Sequence, residues 1–217
     1  YSKEELKTLA DVVAKHPNVY VISDEIYEHI NFESKQESLA QFENVYNQVI
    51  TINGVSKAFA MTGWRLGFIG APVEIANACT KMQGQFTSGT SSVSQRAAIA
   101  AMNAEPTAIK YMIDTFRSRR TLVHGLLNKI DGLITNMPGG AFYFFPDVTS
   151  FFGKSNAGHE INNASDVSMY LLEVGRVATV SGDAFGNPKC IRLSYAASEE
   201  ELNEALARMK EALDNLK

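Results

Sequence analysis

The 217 residues predict an α/β chain, with part of a large doubly wound domain first and a smaller α+β unit after it. Three observations carry that expectation. Helical patterns alternate with short β-prone apolar runs through the first half. One of those runs, Val49-Ile50-Thr51-Ile52, is apolar enough to be a buried strand. Beyond one long helical pattern the strands shorten and are parted by Pro-Gly and Asn-rich turns.

Ser2-Lys3-Glu4-Glu5 has the form of a capping box, ahead of Leu6, Leu9, Val12 and Val13 at helical spacing. The helix should reach about Lys15 and stop before Pro17. Val19-Tyr20-Val21-Ile22-Ser23 reads as a buried parallel strand, residues 49–53 as a second strand and 66–70 as a third. Ala71-Pro72 opens a helix to about Gln85; residues 84–92 are a polar loop, and a helix follows to about Asn103. Pro106 suits a first helical turn, and Ile109, Met112, Ile113, Phe116, Leu122 and Leu126 predict a long helix nearly to Lys129. The domain boundary is placed on this helix, giving units 1–110 and 111–217.

In the second unit, residues 133–135 and 142–145 read as strands with Pro138-Gly139-Gly140 turning between them. Residues 151–163, rich in glycine and asparagine, read as a mobile loop. Ser165 is expected to cap a helix to about Gly175, with strands at 177–180 and 190–195. Ser198-Glu199-Glu200-Glu201 repeats the capping-box form and starts a terminal helix. Three strands are too few for a doubly wound sheet covered on both faces, so the first unit reads as cut.

Composition narrows the function classes. Apolar residues at 45% and charged residues at 20% fit a soluble globular protein, and a net charge of −4 with dispersed basic residues argues against nucleic-acid or anionic-membrane partners. With no membrane-length apolar run and no basic-then-apolar leader, the expected location is cytoplasmic. Cys79 and Cys190 match no metal spacing and read as free buried thiols; the four histidines form no cluster.

Chemistry concentrates around Lys57. Small residues precede it (Gly54-Val55-Ser56), just past a buried strand, where an amine can be desolvated and attack a carbonyl to form a Schiff base. Arg65, between Gly63 and Gly67, offers a planar fork suited to a phosphate. A Schiff-base lysine beside such an arginine suggests pyridoxal phosphate, although a surface lysine and an ion-paired arginine fit the same residues. Asp24 ends the first strand, where ligands of open α/β sheets gather, and its carboxylate can pair with a pyridinium nitrogen. Tyr27 is close enough to reach the same ligand. A helix N-cap is the competing reading of Asp24, and plain small-residue packing that of Ser56. Arg192, inside the otherwise apolar Cys190-Ile191-Arg192-Leu193-Ser194-Tyr195, should meet a carboxylate, either a ligand's or one in a structural ion pair.

The run Gly54-Val55-Ser56-Lys57, then Ala60-Met61, then Gly63-Trp64-Arg65-Leu66-Gly67 resembles the cofactor-attachment signature of class I/II aminotransferases. The resemblance extends over essentially the whole chain and is nearest to the C-terminal part of the bacterial aspartate aminotransferase branch. It implies a fold-type I pyridoxal-phosphate-dependent transferase. By this resemblance Asp24 partners the ring nitrogen, Tyr27 donates to the ring 3-oxygen, and Ile26 lies against a ring face. Lys57 forms the Schiff base and then shuttles the substrate proton; Ser56 and Arg65 contact the phosphate. Arg192 clamps the substrate α-carboxylate, and Phe142 belongs to a loop, Pro138-Gly139-Gly140-Ala141-Phe142-Tyr143, that borders the substrate. An ordinary hairpin turn is equally compatible with that loop. The family often has serine or threonine where Gly54 stands.

The implied reaction moves an amino group between an amino acid, aspartate foremost, and 2-oxoglutarate. Aromatic, alanine or prephenate transaminases and carbon–sulfur lyases share the fold, and a non-catalytic, dimerising or effector-binding domain is the rival from another class. The resemblance also implies a missing N-terminal half, a homodimer when full length, and a C-terminal fragment inactive alone.

Overall fold

The computed structural model describes all residues but Ser34, and all side chains but those of Ser34 and Pro106. The chain divides into two compact units, Tyr1–Tyr111 and Met112–Lys217.

The first unit opens with helix α1, Lys3–Val13. Its capping box is complete: the Glu5 amide donates to Ser2 Oγ at 3.2 Å, and the Ser2 amide to Glu5 Oε2 at 2.7 Å. Leu6 and Ala10 on its inner face join Leu39, Val45 and Val49 in a buried cluster. Strand β1, Val21–Asp24, runs parallel to β2, Val49–Gly54, with Asp24 opposite Ile52. Strand β3, Gly67–Gly70, then pairs with β2 in the antiparallel sense, so β2 is the centre of a three-stranded sheet. The link from β2 to β3 contains turns and one 3-10 segment, Thr62–Trp64, but no α-helix. A parallel return needs a crossover that is usually helical, so this strand comes back beside β2 the other way.

Burial differs from the sequence expectation. Ile22 is 66% exposed, so β1 is covered on one face only, not buried on both. Every residue of β3 is exposed, and helix α2, Val73–Phe86, buries none of its residues. Cys79 lies on α2 and is therefore an exposed thiol, which corrects the expectation of two buried ones. Because α2 runs on to Phe86, the loop before α3, Ser92–Met102, is shorter than expected.

Most of helix α4, Lys110–Leu127, belongs to the second unit. The expected strand at 133–135 is reduced to one bridge, Ile134 to Asp147. Strand β4, Tyr143–Phe144, follows, and then the hairpin of β5, Ser155–Asn156, and β6, His159–Glu160. That hairpin replaces the mobile loop read from composition. Buried Phe151 and Ile161 anchor it, and Ser155 exchanges backbone hydrogen bonds with Lys217 at 2.8 and 3.2 Å.

Helix α5, Ala164–Glu173, is capped by Asn163, whose side chain accepts from the Asp166 amide at 3.0 Å. Ser165, the expected cap, instead donates to Asp183. Strands β7, Val180–Ser181, and β8, Ile191–Ser194, complete a sheet of order β4-β8-β7, antiparallel throughout. Helix α6, Glu199–Asp214, carries the second capping box, Ser198 with Glu201. Its Met209 and Leu213 are buried, as are Tyr170 and Leu171 of α5 and Ile191 of β8. The Tyr170 hydroxyl donates to the Ala212 carbonyl at 2.8 Å, tying α5 to α6.

Candidate active site

Ligand sites of open α/β sheets lie past the carboxyl ends of the parallel strands, and the first unit has a cavity there. It encloses about 550 Å³, the size of a small-molecule site, at the ends of β1 and β2. Asp24, Ile26, Tyr27, Ser56, Lys57 and Arg65 all line it, as do Asn53 and Thr62, which the sequence reading did not single out. Asp24 and Arg65 are exposed and Lys57 is half-buried, so the cavity is open to water. The desolvation expected of Lys57 is therefore incomplete within this chain.

Local structure explains each placement. The Asp24 carboxylate accepts from the Ile26 amide at 3.2 Å, an Asx-type turn that ends β1 and swings Ile26 and Tyr27 toward the cavity. Lys57 follows β2 directly, and its Nζ sits 5.9 Å from the centroid of the Tyr27 ring. Glu25, beside Asp24, is buried and kept from the cavity by hydroxyl bonds from Ser23 at 3.0 Å and Ser38 at 2.7 Å.

Arg65 stands at the end of the Thr62–Trp64 turn with φ 53° and ψ 51°. A side chain in that left-handed region costs about 1–2 kcal/mol, and such strain gathers at functional sites. An Arg65 guanidinium nitrogen donates to the Thr62 carbonyl at 2.9 Å, leaving further N–H groups for a ligand. Gly54 and Gly67 face each other across β2 and β3. A Cβ on Gly54 would stand 3.0 Å from Gly67 Cα and from the Leu66 carbonyl oxygen. That close approach holds the Lys57 and Arg65 segments on one cavity wall.

Arg192 and Phe142 lie in the second unit. Arg192, on β8, is half-buried, and its guanidinium carbon sits over two aromatic rings, 4.5 Å from the Tyr143 centroid and 4.2 Å from that of Phe185. Among the described residues no acidic side chain pairs with it. Phe142, expected against the substrate, is 9% exposed, with its ring stacked on Phe116 at 5.3 Å. Its neighbour Tyr143 is the aromatic that meets Arg192. The loop before them is fastened at both ends. Arg120 donates to the Pro138 carbonyl at 2.8 Å, and the Tyr195 hydroxyl to the Ala141 carbonyl at 2.9 Å. Burial drives the Tyr195 phenol well above its ordinary pKa, so it remains a donor.

The first unit thus gathers a lysine, an arginine and a carboxylate around one cavity at its parallel strand ends, a set of groups whose chemistry suits an anionic, carbonyl-bearing compound. The family model for aminotransferase class I and II matches residues 1–209, and the chain belongs to that family. It is 45% identical, over its whole length, to the bifunctional aspartate aminotransferase and glutamate/aspartate-prephenate aminotransferase of Petunia hybrida, covering 46% of that protein. Against the aspartate aminotransferase of Rhizobium meliloti (strain 1021) the identity is 43%, covering 53% of the relative. The crystal structure of a Rhizobium meliloti aspartate aminotransferase matches the whole chain with a TM-score of 0.95 at 42% identity, and 55% of that structure is covered. The chain thus spans about half the length of these relatives. Its fold is that of the fold-type I transferases, a mixed α/β architecture.

Proposed function

We propose that this chain carries the lysine-bearing part of a transaminase that exchanges an amino group between aspartate and 2-oxoglutarate, with pyridoxal 5′-phosphate as cofactor. The observation that carries the reading is the single cavity lined by Lys57, Asp24, Tyr27, Ser56 and Arg65. That donor set fits the cofactor group by group. An amine answers the aldehyde, a guanidinium and a hydroxyl answer the phosphate, a carboxylate answers the ring nitrogen, and a phenol answers the 3-oxygen. Ile26 offers an apolar surface to a ring face. The names of the relatives support the substrate pair.

When bound, the cofactor supplies a protonated pyridine ring that draws electrons from the substrate's Cα. Asp24 holds the ring nitrogen in its protonated form by charge pairing. Arg65 and Ser56 anchor the phosphate, and Tyr27 donates to the ring oxygen. Lys57 would hold the cofactor's carbonyl group through Nζ, and the same Nζ would serve as the base that takes the proton from the substrate's Cα. Arg192 receives the α-carboxylate through its planar fork of N–H donors.

The uncovered faces of β3 and α2, with Phe86 80% exposed, support a further reading. Residues of the full-length protein outside this stretch would cover them, complete the phosphate cradle and form the homodimer. The name of the Petunia relative favours prephenate as a second amino acceptor. A panel on the full-length holoenzyme tests both, with aspartate as donor and 2-oxoglutarate, prephenate and phenylpyruvate as acceptors. Highest turnover with 2-oxoglutarate, then prephenate, is expected. Pyruvate and ammonia released from cystathionine, with no oxo acid acceptor present, would instead mark a carbon–sulfur lyase.

A further inference from the structure

We propose that Tyr143 and Phe185 are positioning residues for the substrate, an aromatic slot that aims the Arg192 guanidinium and keeps it available to a carboxylate from outside. The proposal rests on the reading of Arg192 as the α-carboxylate group. An arginine in a short, mostly apolar strand needs compensation for its charge, and the usual source is an acidic side chain. Arg192 has none among the described residues; the two ring faces, at 4.5 and 4.2 Å, supply it instead. Rings stabilise a cation without consuming its N–H donors. A carboxylate partner would have to be displaced before the substrate could bind.

Both rings are held by backbone that leaves them little choice of place. Tyr143 pairs with Ser194 across β4 and β8, and Ser194 lies two residues from Arg192, so all three share one face of the sheet. Phe185 ends the 3-10 segment Gly182–Phe185, which closes on Gly186 at φ 79° and is braced edge-on by Phe145 at 6.1 Å. Phe185 stays 44% exposed rather than joining the core, which marks it as lying over the arginine and not as packing material. A ring face offers a carboxylate no hydrogen bond. The sides of the guanidinium that the rings cover are therefore closed to the substrate, which must approach along the remaining N–H edge.

The test uses the full-length holoenzyme with maleate, a dicarboxylate that has no amino group to transfer. Binding is followed through the cofactor's absorbance, and the urea midpoint serves as the folding control. Phe185→Leu and Tyr143→Leu should each weaken maleate binding by about fivefold, the loss of one cation–ring contact. The KM for aspartate should rise by a similar factor, with kcat changed less than KM. Phe185→Tyr and Tyr143→Phe, which keep a ring, should retain wild-type affinity. Unchanged affinity in both leucine variants, with Arg192→Lys losing it, would show that Arg192 works without the slot. Equal losses in the leucine and the ring-keeping variants would overturn the proposal too. Wild-type affinity in Arg192→Lys would instead remove the reading of Arg192 itself.

Discussion

Gly54 stands three residues before Lys57 beside the candidate phosphate contacts, so Gly54→Ser looks like a gain of one phosphate contact. The geometry predicts a loss. A Cβ there meets Gly67 Cα and the Leu66 carbonyl oxygen at 3.0 Å, and Ile26 Cδ1 at 3.3 Å. Carbon–carbon contacts are favourable at about 3.5–4.0 Å, so the deficit against Gly67 is roughly half an ångström or more. Two of the three obstacles are backbone, one in the paired strand and one just before it, and cannot rotate away; only the Ile26 side chain can. Relief requires β2 and β3 to part at their Gly54–Gly67 pairing. Overpacking of this kind costs about 1–3 kcal/mol, which moves a urea midpoint down by roughly 1 M. The same displacement carries Arg65 away from Lys57, so affinity for pyridoxal phosphate should fall despite the added hydroxyl. Urea denaturation of Gly54→Ser beside wild type, with cofactor titration of the full-length form, measures both. A variant as stable as wild type that binds the cofactor more tightly would refute the steric argument.

Three further outcomes follow from the second unit. Tyr195→Phe removes the donor to the Ala141 carbonyl and should lower stability by about 1 kcal/mol in urea denaturation, since a partly buried acceptor is left unmet. Asn163→Ala should cost about 1 kcal/mol by loss of the α5 cap, read as a lower thermal midpoint, whereas Ser165→Ala should cost less. Hydrogen bonds from the Thr149 hydroxyl and amide, at 2.6 and 2.8 Å, hold the Asp147 carboxyl below its ordinary value. A depressed folded-state pKa stabilises above the unfolded value and loses that stability as pH falls through the folded one. Asp147→Asn should therefore be less stable than wild type near neutral pH, and the gap should narrow below about pH 4 in thermal melts.

Local signals were legible in the sequence because they act over three or four residues. Ser2 and Ser198 cap as their capping boxes state, and β2 leads into Lys57 as its apolar run implies. The cavity residues from Asp24 to Arg65 could be nominated because two strand ends and one signature carry them all. What escaped depends on register and cover. The direction of β3 is set by a link that turns through left-handed Ala60 and Arg65, conformations that residue type does not announce. Whether Phe142 or Tyr143 meets Arg192 is decided by a strand two residues long, where one step of register exchanges the faces. Phe185 reaches Arg192 from a separate turn and obeys no spacing rule. Asn163 and Ser165 both suit a helix cap; which one serves depends on the Asp166 amide. Ile22 was expected to be buried because its run is apolar, and Cys79 because an unpaired thiol is usually buried, yet both are exposed.

The central claim is that the Lys57 amine binds the cofactor in the cavity it shares with Asp24 and Arg65. Borohydride trapping of the full-length protein with pyridoxal phosphate, followed by peptide mass spectrometry, tests it directly. A single pyridoxyl adduct on the Lys57 peptide, abolished in a folded Lys57→Ala variant, is the expected result. Label scattered over surface lysines, or retained at full yield without Lys57, would contradict the account.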